Sequence, residues 1–324
     1  MTQDGIPGNR GRSVLFVHGR DFKPEQNELS QLTLDAIRAG IQRDYPDCVP
    51  AFDGLRCEFA YYGDLSNELL RAAGKSYDAS LDLGDRRNAL RQLSQISVRK
   101  RFGIRQYDRL PGKSAVPEFC VDFIVPVLSW FGLCMAIIRR KARDFAAYLA
   151  RDSEYSRAVT ERVRDSLCAA LDRGDELMLI THGTGSVIVY DILWQLSHDP
   201  EFRERYGACK LDSWVTLGSP LGDRRIRKRL IGAGKGGKEL FPTNVIHWHN
   251  VAAEDDYTCH DKTLADDFKK MMSQRLVSAV TDYLIFNHAV RYGRSNPHSS
   301  VGYFVHPRLT KIIVDWMNHN ADTQ

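Results

Sequence analysis

The sequence predicts an α/β fold: a mostly parallel sheet with helices on both faces and a helical cap inserted over about residues 65–150. Three observations predict it. Short apolar, β-branched runs alternate with segments of helical periodicity. Helical segments between runs are what right-handed parallel crossovers need. A Gly-rich turn, Thr181-His182-Gly183-Thr184-Gly185, joins one buried run directly to a helix.

The elements follow in order. Residues 1–12 are polar and Gly-rich, without the apolar core of a secretory signal, and read as a disordered lead-in to one domain over 13–320. Residues 13–17 (SVLFV) make a strand ending at His18-Gly19, and 28–43 carry apolar residues at helical spacing. Residues 55–62 (LRCEFAYY) alternate and stop at Gly63-Asp64, a second strand. Val159, Val163, Leu167 and Leu171 recur every four residues, and Gly174 ends that helix. Residues 176–181 (ELMLIT) form a third strand, and 186–196 (SVIVYDILWQL) resume helical periodicity. Two more strands come at 213–217 (SWVTL) and 245–251 (VIHWHNV). Pro307, favourable at a first helical position, opens a closing helix over 307–317.

Residues 65–150 interrupt the alternation. An Arg-rich part precedes sixteen uncharged residues, 123–138, which are followed by Arg139-Arg140-Lys141. The stretch contains Pro126 and Gly132 and falls short of the roughly 20 residues of a membrane span. A cap helix over the sheet is the first reading, a peripheral membrane contact through about 123–141 the second, and a true span the last.

Composition excludes some classes. With 43% hydrophobic residues the chain is no disordered polymer. Lys+Arg exceed Asp+Glu by 45 to 41, a net +4 that names no nucleic-acid partner, and none is expected. Seven scattered cysteines without a C-x-x-C spacing suggest reduced thiols in a cytoplasm. The run GAGKGGK over 232–238 mimics a phosphate loop, but Glu239 stands where Ser or Thr is required and no buried strand precedes it. His247 and His249 alternate on a strand near Cys259, His260 and Asp261, without metal-site spacing; no metal and no cofactor are expected.

Taken together, SVLFVHG, LMLITHGTGSVIVYD, VTLGSPLG and a later acid and histidine resemble the α/β-hydrolase superfamily, specifically lipases and esterases with a G-H-S-x-G or S-H-S-x-G elbow. The resemblance covers most of 13–317 outside the insert. It implies hydrolysis of a carboxylic ester, with a small ester or lipid-like molecule as partner. One departure is decisive for chemistry. The alignment puts Gly183 at the nucleophile position, so the elbow serine is replaced by a residue with no side chain. Three readings compete: an inactive relative that binds a ligand or protein in the inherited cleft, a nearby substitute hydroxyl, or a variant of an active serine enzyme.

The resemblance assigns the remaining positions residue by residue. Asp256 is the favoured acid and Asp255 the second choice, both after the strand VIHWHNV. His298 is the favoured base, ahead of His288 and His306, giving the order nucleophile, acid, base. Backbone N–H groups of Thr184 and of Gly19 or Arg20 are expected oxyanion donors. His18, His182 and Ser186 are expected around the pocket, although capping or packing is the ordinary use of a serine at a helix start.

Overall fold

Apolar runs become buried parallel strands when both faces of the sheet are covered, because successive side chains point to opposite faces. The computed structural model describes residues 11–112, 142–259 and 261–319. The strands β1 (Arg12–Val17), β2 (Arg56–Ala60), β3 (Glu176–His182), β4 (Leu211–Leu217), β5 (Val245–Ala253) and β6 (Ala279–Ile285) form one sheet. All neighbours are parallel, and the order is β2-β1-β3-β4-β5-β6. A separate antiparallel ribbon pairs β7 (Val290–Arg291) with β8 (Arg294–Ser295).

The main helices are α1 (Gln26–Asp44), α2 (Gly63–Ala72), α3 (Ala79–Ser94), α4 (Arg143–Leu149), α5 (Glu154–Asp172), α6 (Gly185–His198), α7 (Ser300–Val305) and α8 (Pro307–Asn318). Leu15, Val17, Leu177, Leu179, Trp214 and Trp248 turn to one face of the sheet, where α4, α5 and α6 complete a core. Val14, Phe16, Met178, Ile180, Val215 and Val251 turn to the other, covered by α1, α3, α7 and α8. Helix α5 shows the local logic. Ser153 caps its start by accepting from the Ser156 N–H, Gly174 (φ +70°) lies just beyond its end, and Val159, Val163 and Leu167 are fully buried. Each such side chain contributes about 1.5–3 kcal/mol by leaving water.

Topology then locates a crevice. From β1 the chain goes to β2 on one side and returns to β3 on the other, so the strand order reverses between β1 and β3. In open parallel sheets ligands bind at such a point, beyond the carboxyl ends of the strands. The segments 17–20 and 182–184 leave the sheet there.

The five expected strands and the helices around them lie where periodicity placed them, within a few residues. Strand β6, helix α7 and the β7–β8 ribbon were not among the expected elements. Of the insert, α3 packs on α1 and α7. The apolar stretch 123–138 and its basic flank 139–141, on which the membrane-contact expectation rests, lie outside the described residues. Among the described residues no helix is long and apolar enough to cross a membrane.

Candidate active site

The turn between β3 and α6 requires glycine twice. Gly183 has φ +54°, a left-handed conformation that disfavours side chains. Its N–H donates to the Leu217 carbonyl at 2.8 Å, tying the turn to β4. A side chain at Gly185 would collide with the His18 carbonyl oxygen, so its absence lets α6 start directly against the end of β1.

Opposite Gly183 stands His298, delivered by the loop after β8. Its Nδ1 lies 2.8 Å from Asp256 Oδ2. The same carboxylate oxygen accepts from the Tyr303 hydroxyl at 2.8 Å, and Oδ1 accepts from the Thr258 N–H at 3.0 Å. Burial opposes ionisation of Asp256, but His298, Tyr303 and the Thr258 N–H outweigh it and hold the carboxyl below its ordinary value. An ionised carboxylate only accepts, so Nδ1 donates to it, and in the neutral form of such an imidazole the lone pair is on Nε2. That nitrogen lies 3.1 Å from the point a Cβ on Gly183 would occupy.

Gly218, in the loop after β4, makes the pair fit. It has φ +55°, and a Cβ there would stand 2.7 Å from Asp256 Oδ2 and 3.1 Å from His298 Nδ1.

The loop after β1 forms the other wall. Gly19 Cα lies 3.9 Å from the same Cβ point at Gly183, and a side chain on Gly19 would press to 2.9 Å from the His182 carbonyl oxygen. The N–H groups of Gly19, Arg20 and Thr184 find no acceptor among the described residues. Buried Lys23 organises this loop: its ammonium donates to the carbonyls of Arg20, Asp21 (3.1 Å) and Phe22 (3.3 Å). Burial lowers its pKa to about 8, with Arg86 adding to the shift.

Both flanking histidines are structural and neutral. His18 accepts the Tyr62 N–H on Nε2 at 3.1 Å, so its Nδ1–H donates to the Gly19 carbonyl at 2.8 Å. Burial and the nearby Lys23 charge lower its pKa to about 3. His182 donates from Nε2 to the His298 carbonyl at 3.0 Å and is held well below its ordinary value, by burial first and by His298 second. It thereby supports the backbone that carries His298.

Several expected residues sit elsewhere. Ser186 is fully buried beneath the turn, its hydroxyl 2.9 Å from Thr181 Oγ1, so it packs under the site instead of lining it. The Thr184 side chain is also buried and bonds towards Tyr62, leaving only its N–H for the cleft. Asp256, not Asp255, carries the carboxylate bonded to His298. His288 bridges the Phe286 and Gly103 carbonyls, and His306 caps α8 by accepting from the Arg308 N–H. Tyr303, Gly218 and Lys23 were not identified as site residues from sequence. Of the three, only Gly218 had a signal in the sequence, as part of the VTLGSPLG run that carries the resemblance.

A cavity of about 310 Å³ opens beside His298, walled by Arg20, Lys23, Tyr77, Arg86, Arg291 and Asn296. Its polar character contrasts with an acyl-chain tunnel. Arg86 and Arg291 are both paired with Asp82, whereas the Arg20 guanidinium has no partner among the described residues. Comparison with family models, with curated proteins and with solved structures finds no match to this chain.

Proposed function

We propose that the chain is an α/β-hydrolase-type ester hydrolase in which His298 and Asp256 act on water directly instead of on an elbow hydroxyl. One observation carries the reading: a carboxylate-oriented imidazole whose free Nε2 faces, at 3.1 Å, the position a nucleophile's Cβ would take on a left-handed turn. The reversal of strand order at this crevice supports it. In the proposed step, His298 Nε2 takes a proton as water attacks the ester carbonyl carbon. The N–H groups of Thr184 and Arg20 or Gly19 receive the oxyanion. Collapse breaks the bond to the alcohol oxygen, which leaves with the proton from His298, and Asp256 stabilises the transient imidazolium. The polar cavity favours compact or charged esters over long acyl chains.

The absence of a side chain at Gly183 favours a second reading, in which the cleft binds such a ligand without turning it over. p-Nitrophenyl acetate and butyrate separate the two. Water activation gives turnover without an acyl-enzyme burst, reduced about 100-fold or more in His298→Ala. Activity confined to Gly183→Ser supports binding only, and wild-type activity indifferent to His298→Ala overturns the proposed mechanism. The serine variant is expected to cost about 1–2 kcal/mol because of its left-handed backbone.

A further inference from the structure

We propose that a second cavity, remote from His298, binds an amphiphilic anion: an apolar body of medium-chain size bearing one carboxylate or phosphate head. The cavity measures about 350 Å³ and shares no lining residue with the one beside His298. Its floor is apolar, made by Tyr190 of α6 with Leu230, Leu240, Phe241 and Phe268. Its rim is cationic: Arg224, Lys228, Lys269 and Lys270 pair with no carboxylate among the described residues. Asp267 also lines it, but Arg227 neutralises that charge. The four exposed rim cations attract an anionic head, and the apolar floor favours an apolar group that leaves water for it. One molecule carrying both groups satisfies both conditions. The volume lies near the lower end for ligand pockets, which suits a medium-chain acid better than a whole phospholipid.

The wall is preformed by groups the hydrolytic site does not use. Fully buried Asp191 accepts the Ile231 N–H at 2.8 Å and is itself held by Tyr148 at 2.8 Å and Arg151 at 2.6 Å. Trp194 Nε1 donates to the Glu239 carbonyl at 2.7 Å. The glycine-rich 232–238 run is thus fixed at both ends, with Ala233 on the cavity wall.

Calorimetric titration of the full chain with octanoate, octyl phosphate, octan-1-ol and inorganic phosphate tests the site. Octanoate or octyl phosphate is expected to bind about tenfold or more tightly than either half-ligand. Ala233→Glu and the pair Lys269→Gln/Lys270→Gln, each checked for an unchanged melting profile, should weaken binding about tenfold, and 0.5 M salt should weaken it further. Should one variant misfold, the other decides. His298→Ala should leave the affinity intact. Equal affinity for octanol, indifference to both rim variants, or loss in His298→Ala overturns the proposal. Binding confined to phosphatidylglycerol-containing vesicles, with none to the free anions, likewise overturns it in favour of a membrane surface.

Discussion

The Tyr303 hydroxyl donates to Asp256 Oδ2 and accepts the buried Ala253 N–H at 2.9 Å, so one oxygen couples the candidate acid to the end of β5. Tyr303→Phe would leave that N–H unpaired, a loss of about 1–3 kcal/mol, and remove a donor that favours the ionised carboxyl. Urea denaturation should show the loss, and the Asp256 carboxyl should titrate higher by NMR than in the parent chain. An unchanged titration would show that the phenol only packs. Gly183, Asp256 and His298 could be singled out through the resemblance, because each occupies a turn after a strand, where a short motif stays recognisable. Tyr303 could not. Within SVGYFV nothing distinguishes a core aromatic ring from one whose hydroxyl is in use until α7 is placed over β5.

At the scale of elements, the β7–β8 ribbon shows why part of the route to His298 stayed hidden. Its central residues Tyr292 (φ +51°) and Gly293 (φ +73°) both adopt positive φ, the turn for which Asn-Gly is the usual signal. Tyrosine there is held by contacts distant in sequence. The Tyr292 N–H donates to Asp85 at 2.8 Å and its hydroxyl to Asp82 at 3.2 Å. Arg291 pairs with Asp82 at 2.6 Å and with Asp85. Strand β6 was hidden for a related reason. Asp282 interrupts its apolar pattern because its carboxylate accepts from Asn250, Leu264 and Ala265 across the sheet edge. The acids of α3 therefore pin the ribbon that leads to His298. Asp82→Asn breaks buried pairs with Arg86 and Arg291 and should cost about 3 kcal/mol. Amide exchange should then quicken across 290–295, and any ester turnover should fall through kcat. Unaltered exchange there would mean that the ribbon is held by other contacts.

Across the whole molecule, the layered sheet could be anticipated because apolar runs and helical periodicity repeat along the chain, whereas the burial of individual polar groups could not. That burial governs the response to acid. Four histidines from separate regions are kept neutral, chiefly by burial: His18 at about 3, His306 at about 3, His249 at about 4, and His182 well below its ordinary value. In the unfolded chain each takes up a proton near pH 6.5. Below that pH the unfolded state binds more protons than the folded one, so stability present above pH 6.5 is lost as the pH falls towards 3. Asp256 and Asp82, depressed in the folded state, extend the loss to lower pH, because they stabilise only above their unfolded values. The urea midpoint should therefore decline from pH 7 to pH 4, before carboxylates dominate. His306 isolates one contribution. Its ring is packed against Phe102, burial lowers its pKa first with the neighbouring His288, Arg43 and Arg308 lowering it further, and its Nδ1 caps α8. His306→Asn retains a capping acceptor but does not titrate. Whatever its baseline stability, its decline between pH 6 and pH 4 should be shallower by about 1.4 kcal/mol per pH unit, the slope of one proton. A variant that declines as steeply as the parent chain would show that His306 takes up its proton without unfolding, and that acid enters the structure somewhere other than the α7–α8 junction.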